Sequence, residues 1–199
     1  MPTGEQQAWE ILSGLDPKDV CIRAKVAFDD LSGVYILKSF LQDIIIAPKD
    51  KKIFGNSLVS DFLLKELGNY SRLSVLWYLI SAKDIPLSGM LIRPADMPGG
   101  QIYLKGSHTL PLDKVAGKYG SDRQGFLKKG TELGGEQLNF GDASLRLHPF
   151  PRVPVSILLW ENNEEFSARC NLLLDSTCKL QLPVDIIWST AMMSILIIL

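Results

Sequence analysis

The sequence predicts an α+β fold, in which antiparallel sheets are packed by several helices in a single compact domain. Three observations predict this class. Short β-branched runs alternate with turn residues, segments with the apolar spacing of helices lie between them, and no strand–helix unit repeats along the 199 residues. Because domains commonly contain about 100–200 residues, we expect one domain over residues 1–199, with 1–85 and 86–199 as candidate sub-lobes.

Four helices are expected in the N-terminal half of the chain, at Ala8–Ser13, Pro17–Lys25, Ser57–Leu67 and Ser71–Lys83. For the second of them, Asp16 is a favoured N-cap, and Pro17 suits the first helical position, where its missing N–H costs no hydrogen bond. Gly68 is expected to end the third helix as a C′ glycine, and Pro86 follows the fourth. These caps and breakers set the expected helix boundaries.

Strands are expected at Val34–Phe40, Asp43–Ala47, Met90–Ile92, Gln101–Leu104, Ala143–Leu147, Val153–Trp160 and Phe166–Leu174. The turn residues Pro48–Lys51 lead from the second of these into a further extended segment at Ile53 and Phe54. The first strands are therefore expected to form a meander.

A β-hairpin is expected in the C-terminal half of the chain. Val153–Trp160 is apolar and rich in β-branched residues, and Phe166–Leu174 alternates with a period of two. Asn162 and Asn163 lie between these runs, and Asn tolerates positive φ in a tight turn. The two runs are therefore expected to pair as antiparallel strands of the largest sheet.

Two further helices are expected in this half. Ser121 and Gln124 have the spacing of a capping box, which opens a helix at Asp122–Lys129. The run Ile186–Leu199 is uncharged and apolar over 14 residues, whereas a transmembrane helix needs about 20. Pro183–Asp185 is typical of a helix start, so we expect a buried C-terminal helix and no membrane span. Burial of this run against a protein partner or a second copy of the chain is the alternative.

Charge and cysteine content restrict the class of protein. The 21 basic and 22 acidic side chains give a net charge of −1, and the Lys-Lys pairs at 51–52 and 128–129 are isolated, so nucleic acid is not an expected partner. Cys21, Cys170 and Cys178 form no Cys-x-x-Cys motif, and the N-terminus lacks the basic and apolar pattern of a secretory leader. We therefore expect a cytoplasmic protein.

Carboxylates collect at the ends of the expected elements, at Asp142, Glu161, Glu164, Glu165, Asp175 and Asp185. If the sheet brings several of these ends together, two or three carboxylates can bind Mg²⁺ or Ca²⁺, or one can act as a general acid or base. Acids at turns and helix starts also accept backbone N–H bonds, and this structural role is the competing interpretation. The sequence selects no particular cofactor or metal.

Arg152 is a further candidate, because it is held between Pro151 and Pro154. Its guanidinium can contact an anionic ligand, or it can pair with Glu161 or Asp142. A pocket is expected where the Gly141-Asp142 turn, Arg152 and the Glu164-Glu165 turn converge. The candidate ligand-binding residues are Asp142, Arg152, Glu164, Glu165 and Asp175.

The histidines, cysteines and glycine-rich turns show no catalytic or nucleotide-binding pattern. His108 and His148 lack a second His at helical spacing, and the eight-residue offset of Cys170 and Cys178 fits no common metal motif. The Gly-rich turns at 98–100 and 134–135 do not connect a strand to a helix as nucleotide-binding loops do. No nucleophile therefore has a recognisable base beside it in the sequence.

Several spaced motifs carry a family resemblance: Ile85–Gly89, Met97–Gly100, Gly134-Gly135, Gly141–Ser144, Pro151–Pro154, Leu159–Glu161, Glu164–Phe166, Leu173–Asp175 and Leu182–Trp188. Together they resemble the uncharacterised prokaryotic family catalogued as domain of unknown function 3786. The resemblance implies a protein of anaerobic bacteria or archaea, whose relatives are in some cases fused to iron–sulfur domains, and it implies no activity. Asn162-Asn163 stands where the pattern has Gly-Asp, and the multi-cysteine segment is absent, so any iron–sulfur role would require a partner.

Two functions from different classes follow as expectations. The first is a non-catalytic accessory module of anaerobic metabolism that binds a cofactor or a protein partner. The alternative is an enzyme that uses the carboxylate cluster with Arg152, with or without a divalent metal. The first is preferred, because turn chemistry accounts for the acids and no activated nucleophile is recognisable.

Overall fold

Two antiparallel sheets form the framework of the protein, and helices pack against both of them. The structure is a computed structural model that describes residues 4–101 and 106–199. The predicted α+β class is confirmed. The strand expected at Gln101–Leu104 lies mostly outside the described residues.

The first part of the chain contains α1 (Gly4–Ser13), α2 (Pro17–Ala24), β1 (Ala27–Asp29), β2 (Val34–Ser39), β3 (Gln42–Ala47), β4 (Lys52–Gly55), α3 (Leu58–Asp61) and α4 (Gly68–Ser81). Strands β1 to β4 pair in sequence order as the expected meander, to which the structure adds β1. Asp16 caps α2 as predicted, because its carboxylate accepts a hydrogen bond from Lys18 N at 3.1 Å.

The second part contains β5 (Leu91–Ile92), α5 (Leu112–Tyr119), α6 (Arg123–Glu132), β6 (Glu136–Leu138), β7 (Ala143–Phe150), β8 (Val153–Trp160), β9 (Arg169–Asp175), α7 (Cys178–Gln181) and α8 (Val184–Ile198). Its sheet has the order β5-β9-β8-β7-β6, and every neighbouring pair is antiparallel. The predicted pairing of Val153–Trp160 with the strand that follows it is confirmed, since Val155 lies opposite Leu174 and Trp160 opposite Arg169.

The connection between β8 and β9 differs from the expected tight Asn-Asn turn. The strand β9 begins at Arg169, so residues 161–168 form a longer loop, and neither Asn162 nor Asn163 has positive φ. Asn163 instead accepts hydrogen bonds at Oδ1 from the backbone N–H groups of Glu165 and Phe166, at 2.9 and 2.8 Å. The side chain of Asn163 therefore shapes this loop by the Asx-turn chemistry of that residue type.

Two predicted helix ends are wrong. Gly68 does not end a helix as a C′ glycine; it begins α4, and the chain reaches it from α3 through a π-helical turn at Phe62–Glu66. Ser121 does not cap α6; Asp122 does, because its carboxylate accepts from Gly125 N at 2.9 Å. Ser121 donates to Asn162 Oδ1 at 2.8 Å instead, so a tertiary contact takes the hydroxyl that the local pattern assigned to a cap.

The apolar C-terminal run folds as helix α8, as predicted, and it packs on the body of its own chain. It contacts α4, α5, α6, α7 and β7, and ten of its residues are buried, among them Ile195. Trp188 is half-buried, and its indole N–H donates to His108 O at 2.7 Å. Within residues 4–101 and 106–199, no helix has both the length and the apolar character that crossing a bilayer requires.

Candidate functional site

The predicted site residues lie at two opposite ends of the large sheet. Asp142 immediately precedes β7, whereas Arg152 lies in the turn between β7 and β8. An eight-residue strand separates them, which is roughly 25 Å at the usual rise per residue. Asp175 ends β9, and because β9 is antiparallel to β8 it lies at the Arg152 end of the sheet. The expected convergence of Asp142 and Arg152 is therefore wrong.

The acids at the Asp142 end belong to exposed turns. The Asp142 carboxylate accepts from Glu161 N at 2.8 Å, which fastens the turn before β7 to the end of β8. Glu164 and Glu165 are exposed in the loop that Asn163 shapes. No group of three or more His, Cys, Asp or Glu side chains that could hold a metal ion occurs among the described residues. Ligand binding by Asp142, Glu164 or Glu165 stays a prediction.

Arg152 is buried, and its side chain connects segments that are distant in sequence. Its side chain is 5 % exposed, and its guanidinium donates to the carbonyl oxygens of Ile22, Arg23 and Ile85 and to the carboxylate of Asp84. Because α2 ends at Ala24, two of these carbonyls belong to its last turn, where a cation also meets the negative end of the helix dipole. Arg152 therefore pairs with Asp84, and not with Glu161 or Asp142 as the sequence suggested.

Asp175 is a buried carboxylate whose hydrogen-bonding capacity is used within the protein. It accepts hydrogen bonds from the backbone and hydroxyl groups of Ser88 and Thr177 and from Gly89 N, at distances of 2.7 to 3.1 Å. Burial by itself raises the pKa of Asp175, but the bonds from Thr177 and Ser88 outweigh burial and hold the pKa below its ordinary value. Asp175 therefore fixes the segment before β5 to the end of β9.

The contacts of Cys170, Cys178 and His148 also indicate structural roles. Burial raises the pKa of both Cys170 and Cys178 to about 12, so their thiols stay protonated at neutral pH. The Cys178 thiol lies 3.4 Å from Met97 Sδ, and His148 Nε2 lies 3.2 Å from a carboxylate oxygen of Glu136. None of these contacts gives a nucleophile a base beside it.

A cleft of about 470 Å³ opens between the α1–α2 junction and the meander. We call it the meander cleft; its lining is Leu12, Ser13, Leu15, Pro17, Phe28, Asp30, Gly33, Tyr35, Pro48, Lys49 and Lys51. The lining includes the apolar side chains of Leu12, Leu15 and Phe28, which we call its apolar floor. This size and this mixture of an apolar floor with a few polar groups are typical of small-molecule sites.

Strand register and turn geometry place the polar groups of the meander cleft. Phe28 lies opposite Tyr35 across β1 and β2, with ring centroids 4.7 Å apart, so the Tyr35 ring continues the apolar floor. Lys49 and Lys51 project from the turn between β3 and β4, and the end of the Lys49 side chain passes over Gly33. Gly33 has φ +69°, which allows the preceding turn to bend toward that side chain.

Tyr35 is buried, at 1 % exposure, and its hydroxyl forms no hydrogen bond with the residues that the structure describes. Among the described side chains, the only fully enclosed polar atom without a partner is Gln181 Nε2. The Tyr35 hydroxyl therefore reaches open space, and the open space that Tyr35 lines is the meander cleft. Buried polar groups without a protein partner are rare, so this hydroxyl points to water or a ligand in the cleft.

Four other cavities are less well suited to hold a ligand. The lining of one of about 440 Å³ is apolar except for Lys179. Another, of about 420 Å³, is lined in part by Arg93, Asp96 and Asn171, and Arg93 and Asp96 form an ion pair with each other. A smaller one of about 270 Å³ contains Asp142, and a groove of about 340 Å³ between α3 and the end of α8 is mostly apolar. Contact with a partner through the apolar C-terminal segment stays a prediction.

Comparison with known families gives one match. The family model described as domain of unknown function (DUF3786) matches residues 16–196, which is most of the chain. The chain belongs to this family. No curated protein and no solved structure matches the chain.

The motifs on which the sequence resembles the DUF3786 family meet in pairs in the structure. Ser88 and Gly89 donate to Asp175, Ile85 accepts from Arg152, and the Asp142 turn is bonded to Glu161. Each pair fixes a loop to the end of a strand. The motifs are therefore accounted for by the construction of the large sheet.

Sequence reasoning did not find the meander cleft. Its parts come from three segments, around residues 12–17, 28–35 and 48–51, which no local pattern connects. The one available signal was the Pro48–Lys51 turn, which carries two lysines, but neither a turn nor an isolated Lys-Lys pair indicates a cleft by itself. The family match covers Phe28, Tyr35 and both lysines of the cleft.

Proposed function

We propose that this member of the DUF3786 family is a non-catalytic binding module that holds a small molecule in the meander cleft. The observation that carries the proposal is the Tyr35 hydroxyl, which belongs to a buried side chain, has no hydrogen-bond partner within residues 4–101 and 106–199, and reaches the cleft. Because the hydroxyl reaches the cleft, a ligand there can accept its hydrogen bond.

The separation of the acids favours binding over the carboxylate-cluster enzyme. That enzyme needs two or three carboxylates within a few Å of one another, whereas Asp142 and Asp175 lie at opposite ends of the large sheet. The hydrogen bonds of Asp175 and Arg152 are used in holding loops to strands. A binding role needs only the cleft, so it is the simpler account of the structure.

The cellular setting forms part of the same proposal. The three cysteines are unpaired, which supports a reducing compartment and hence the cytoplasm. The role in anaerobic metabolism rests on the sequence resemblance alone. Within that setting, the protein would store, sense or present its ligand to another protein.

Native mass spectrometry of protein purified under anoxic conditions tests the proposal. The unmodified protein is expected to retain a small molecule that denaturation releases. Ser13→Trp places an indole at the mouth of the meander cleft and is expected to abolish retention. Thr131→Trp is the matched control, because Thr131, like Ser13, is an exposed helical residue whose hydroxyl donates to the carbonyl four residues earlier.

The two variants separate a cleft ligand from other retained molecules. Loss of the bound mass in Ser13→Trp with retention in Thr131→Trp supports the cleft. Equal retention in both variants, or a retained molecule that the protein chemically converts, contradicts the proposal.

A further inference from the structure

We infer that the ligand of the meander cleft is a small organic anion whose charged head contacts Lys49, Lys51 and the Tyr35 hydroxyl. Its apolar body lies on the floor formed by the leucines and the phenylalanine. This inference rests on the proposed function and adds the chemical class of the ligand. A carboxylate or a phosphate ester head fits the same three donors.

The charges at the cleft favour an anion. Lys49 and Lys51 both line the cleft, and neither takes part in an ion pair among the described residues. Asp30 is the only acidic side chain in the lining, so the lining carries one more positive charge than negative. A cleft with low-dielectric walls strengthens the resulting field on a ligand.

The hydrogen-bonding character of the same groups favours an acceptor. Lysine ammonium groups donate only. Burial, with smaller contributions from Cys21 and Asp16, raises the pKa of Tyr35 to about 12, so the hydroxyl stays protonated at neutral pH and can donate. Three donors that line one cleft suit the oxygens of a carboxylate or phosphate, and charge-assisted bonds of this kind are the stronger ones.

The backbone at Lys51 allows the effect of its side chain on binding to be tested separately from its effect on stability. Lys51 has φ +52°, in the left-handed region where glycine is favoured and other residues are strained. Glycine at this position would relieve the strain, whereas lysine keeps a cation at the cleft. Lys51→Gly is therefore expected to raise the melting temperature and to weaken anion binding, two effects of opposite sign.

Lys25 provides the matched control for that variant. It has the same φ of +52° at the end of α2, but it does not line the meander cleft. Lys25→Gly is expected to raise the melting temperature in the same way, because glycine is favoured after a helix C-terminus. Binding in the cleft is expected to stay unchanged, so the pair separates relief of strain from loss of a ligand contact.

The volume of the cleft and its apolar floor require more than an inorganic ion. A cleft of about 470 Å³ has room for an aromatic ring beside the charged head. Phenyl phosphate and benzoate are therefore the probes, benzyl alcohol and benzylamine are the neutral and cationic comparisons, and inorganic phosphate tests the head alone. The two anionic probes distinguish a phosphate ester from a carboxylate source.

Titration of the isotope-labelled full chain with each probe, followed by NMR, is the closing experiment. The amide signals of Gly33 and Lys51 report on the cleft, and the same titrations give the dissociation constants. At least one of phenyl phosphate and benzoate is expected to bind several-fold more tightly than benzyl alcohol, benzylamine and inorganic phosphate. Lys49→Gln and Tyr35→Phe should each weaken that anion by about fivefold to tenfold, the size expected for one polar contact.

Asp30→Asn tests the sign of the charge. It removes the only acidic side chain of the cleft, so it should strengthen binding of the anion while Lys51→Gly weakens it. Benzyl alcohol binding should respond to neither change.

The outcomes separate this inference from the proposed function. If benzyl alcohol or benzylamine shifts the cleft amides and binds as tightly as the anions, the anion class is overturned and the binding module stands. Binding of the anions that Lys49→Gln and Lys51→Gly leave unchanged also overturns the anion class. If no probe shifts the cleft amides, and the purified protein retains no molecule that Ser13→Trp excludes, the inference and the proposed function are both overturned.

Discussion

Two buried tyrosines show the difference between the region that holds the fold together and the region that we assign to a ligand. The Tyr78 hydroxyl donates to Ala24 O at 2.7 Å and accepts from Arg152 N at 3.2 Å. The Tyr35 hydroxyl has neither kind of partner in the described part of the chain, and it reaches the meander cleft. The same functional group is therefore structural at one position and available at the other.

The charged residues differ in the same way. At the β7–β8 turn, Arg152 is buried and its guanidinium bonds to three carbonyls and a carboxylate. At the β3–β4 turn, Lys49 and Lys51 line a cleft and pair with no acid among the described residues. Pairing with the protein marks a structural group, and unpaired groups around a cavity mark a candidate site.

The largest effect on stability is expected from removing the Arg152 guanidinium. Arg152→Met fills much of the same volume but leaves the carbonyls of Ile22, Arg23 and Ile85 without their donor. The free energy of unfolding, from urea denaturation, should fall by about 3–5 kcal/mol, the range for breaking a buried charged network. Asp84→Asn is the control; because the Asp84 side chain is 63 % exposed, its loss should cost about 1 kcal/mol or less.

If Arg152→Met lowers the free energy of unfolding by only as much as Asp84→Asn does, Arg152 is not one of the residues that hold the fold together. Arg152 would then be free to act on a ligand, as the sequence predicted, and the distinction between the two turns would fail.

Asp175→Asn should give the next largest effect, because it replaces an acceptor of several hydrogen bonds by a group that also donates. We expect a loss of about 2–3 kcal/mol at pH 7, measured by urea denaturation. The folded-state pKa of Asp175 lies below its unfolded value, so its contribution is complete above about pH 4 and is lost as the pH falls through the folded-state pKa.

The difference in stability between the unmodified chain and Asp175→Asn should therefore shrink as the pH falls below about 4. A difference that grows on acidification would contradict the assignment of Asp175 as an ionised, structurally bonded carboxylate.

Alkylation of the thiols should divide the cysteines by their surroundings. Cys170 and Cys178 are buried with pKa values of about 12, so iodoacetamide at pH 8 should label them only after unfolding. Cys21 is half-buried, and burial raises its pKa too, so it should react slowly and before the others. Mass spectrometry of the digested chain gives the order, and fast labelling of Cys170 or Cys178 in the folded protein would identify a reactive thiol that the structure does not account for.

The sequence predicted those helices and strands that depend on neighbouring residues along the chain. Asp16 and Pro17 start α2, the two apolar runs pair as β8 and β9, and the apolar C-terminal segment forms α8. Each depends on capping, alternation or apolar content within about 20 residues, which are properties that a sequence shows directly. The α+β class follows from the same signals.

Long-range contacts account for most of what the sequence did not predict. Arg152 reaches carbonyls about 130 positions earlier, and Ser121 bonds to Asn162 instead of capping its own helix. The meander cleft is built from three separate segments. The Tyr35 hydroxyl is available because no described residue lies where it could form a hydrogen bond with it, and a sequence does not show this. Strand direction decides which ends meet, so the acids could be recognised in the sequence but not placed together.

The most direct test compares Tyr35→Phe with Tyr78→Phe in both stability and ligand binding. Each change removes one buried hydroxyl and keeps the ring. The account predicts that Tyr78→Phe lowers the free energy of unfolding by about 1–3 kcal/mol, while Tyr35→Phe changes it by about 0.5 kcal/mol or less and weakens binding of the cleft ligand several-fold. A Tyr35→Phe variant that loses as much stability as Tyr78→Phe, or that binds the ligand as tightly as the unmodified chain, would contradict it.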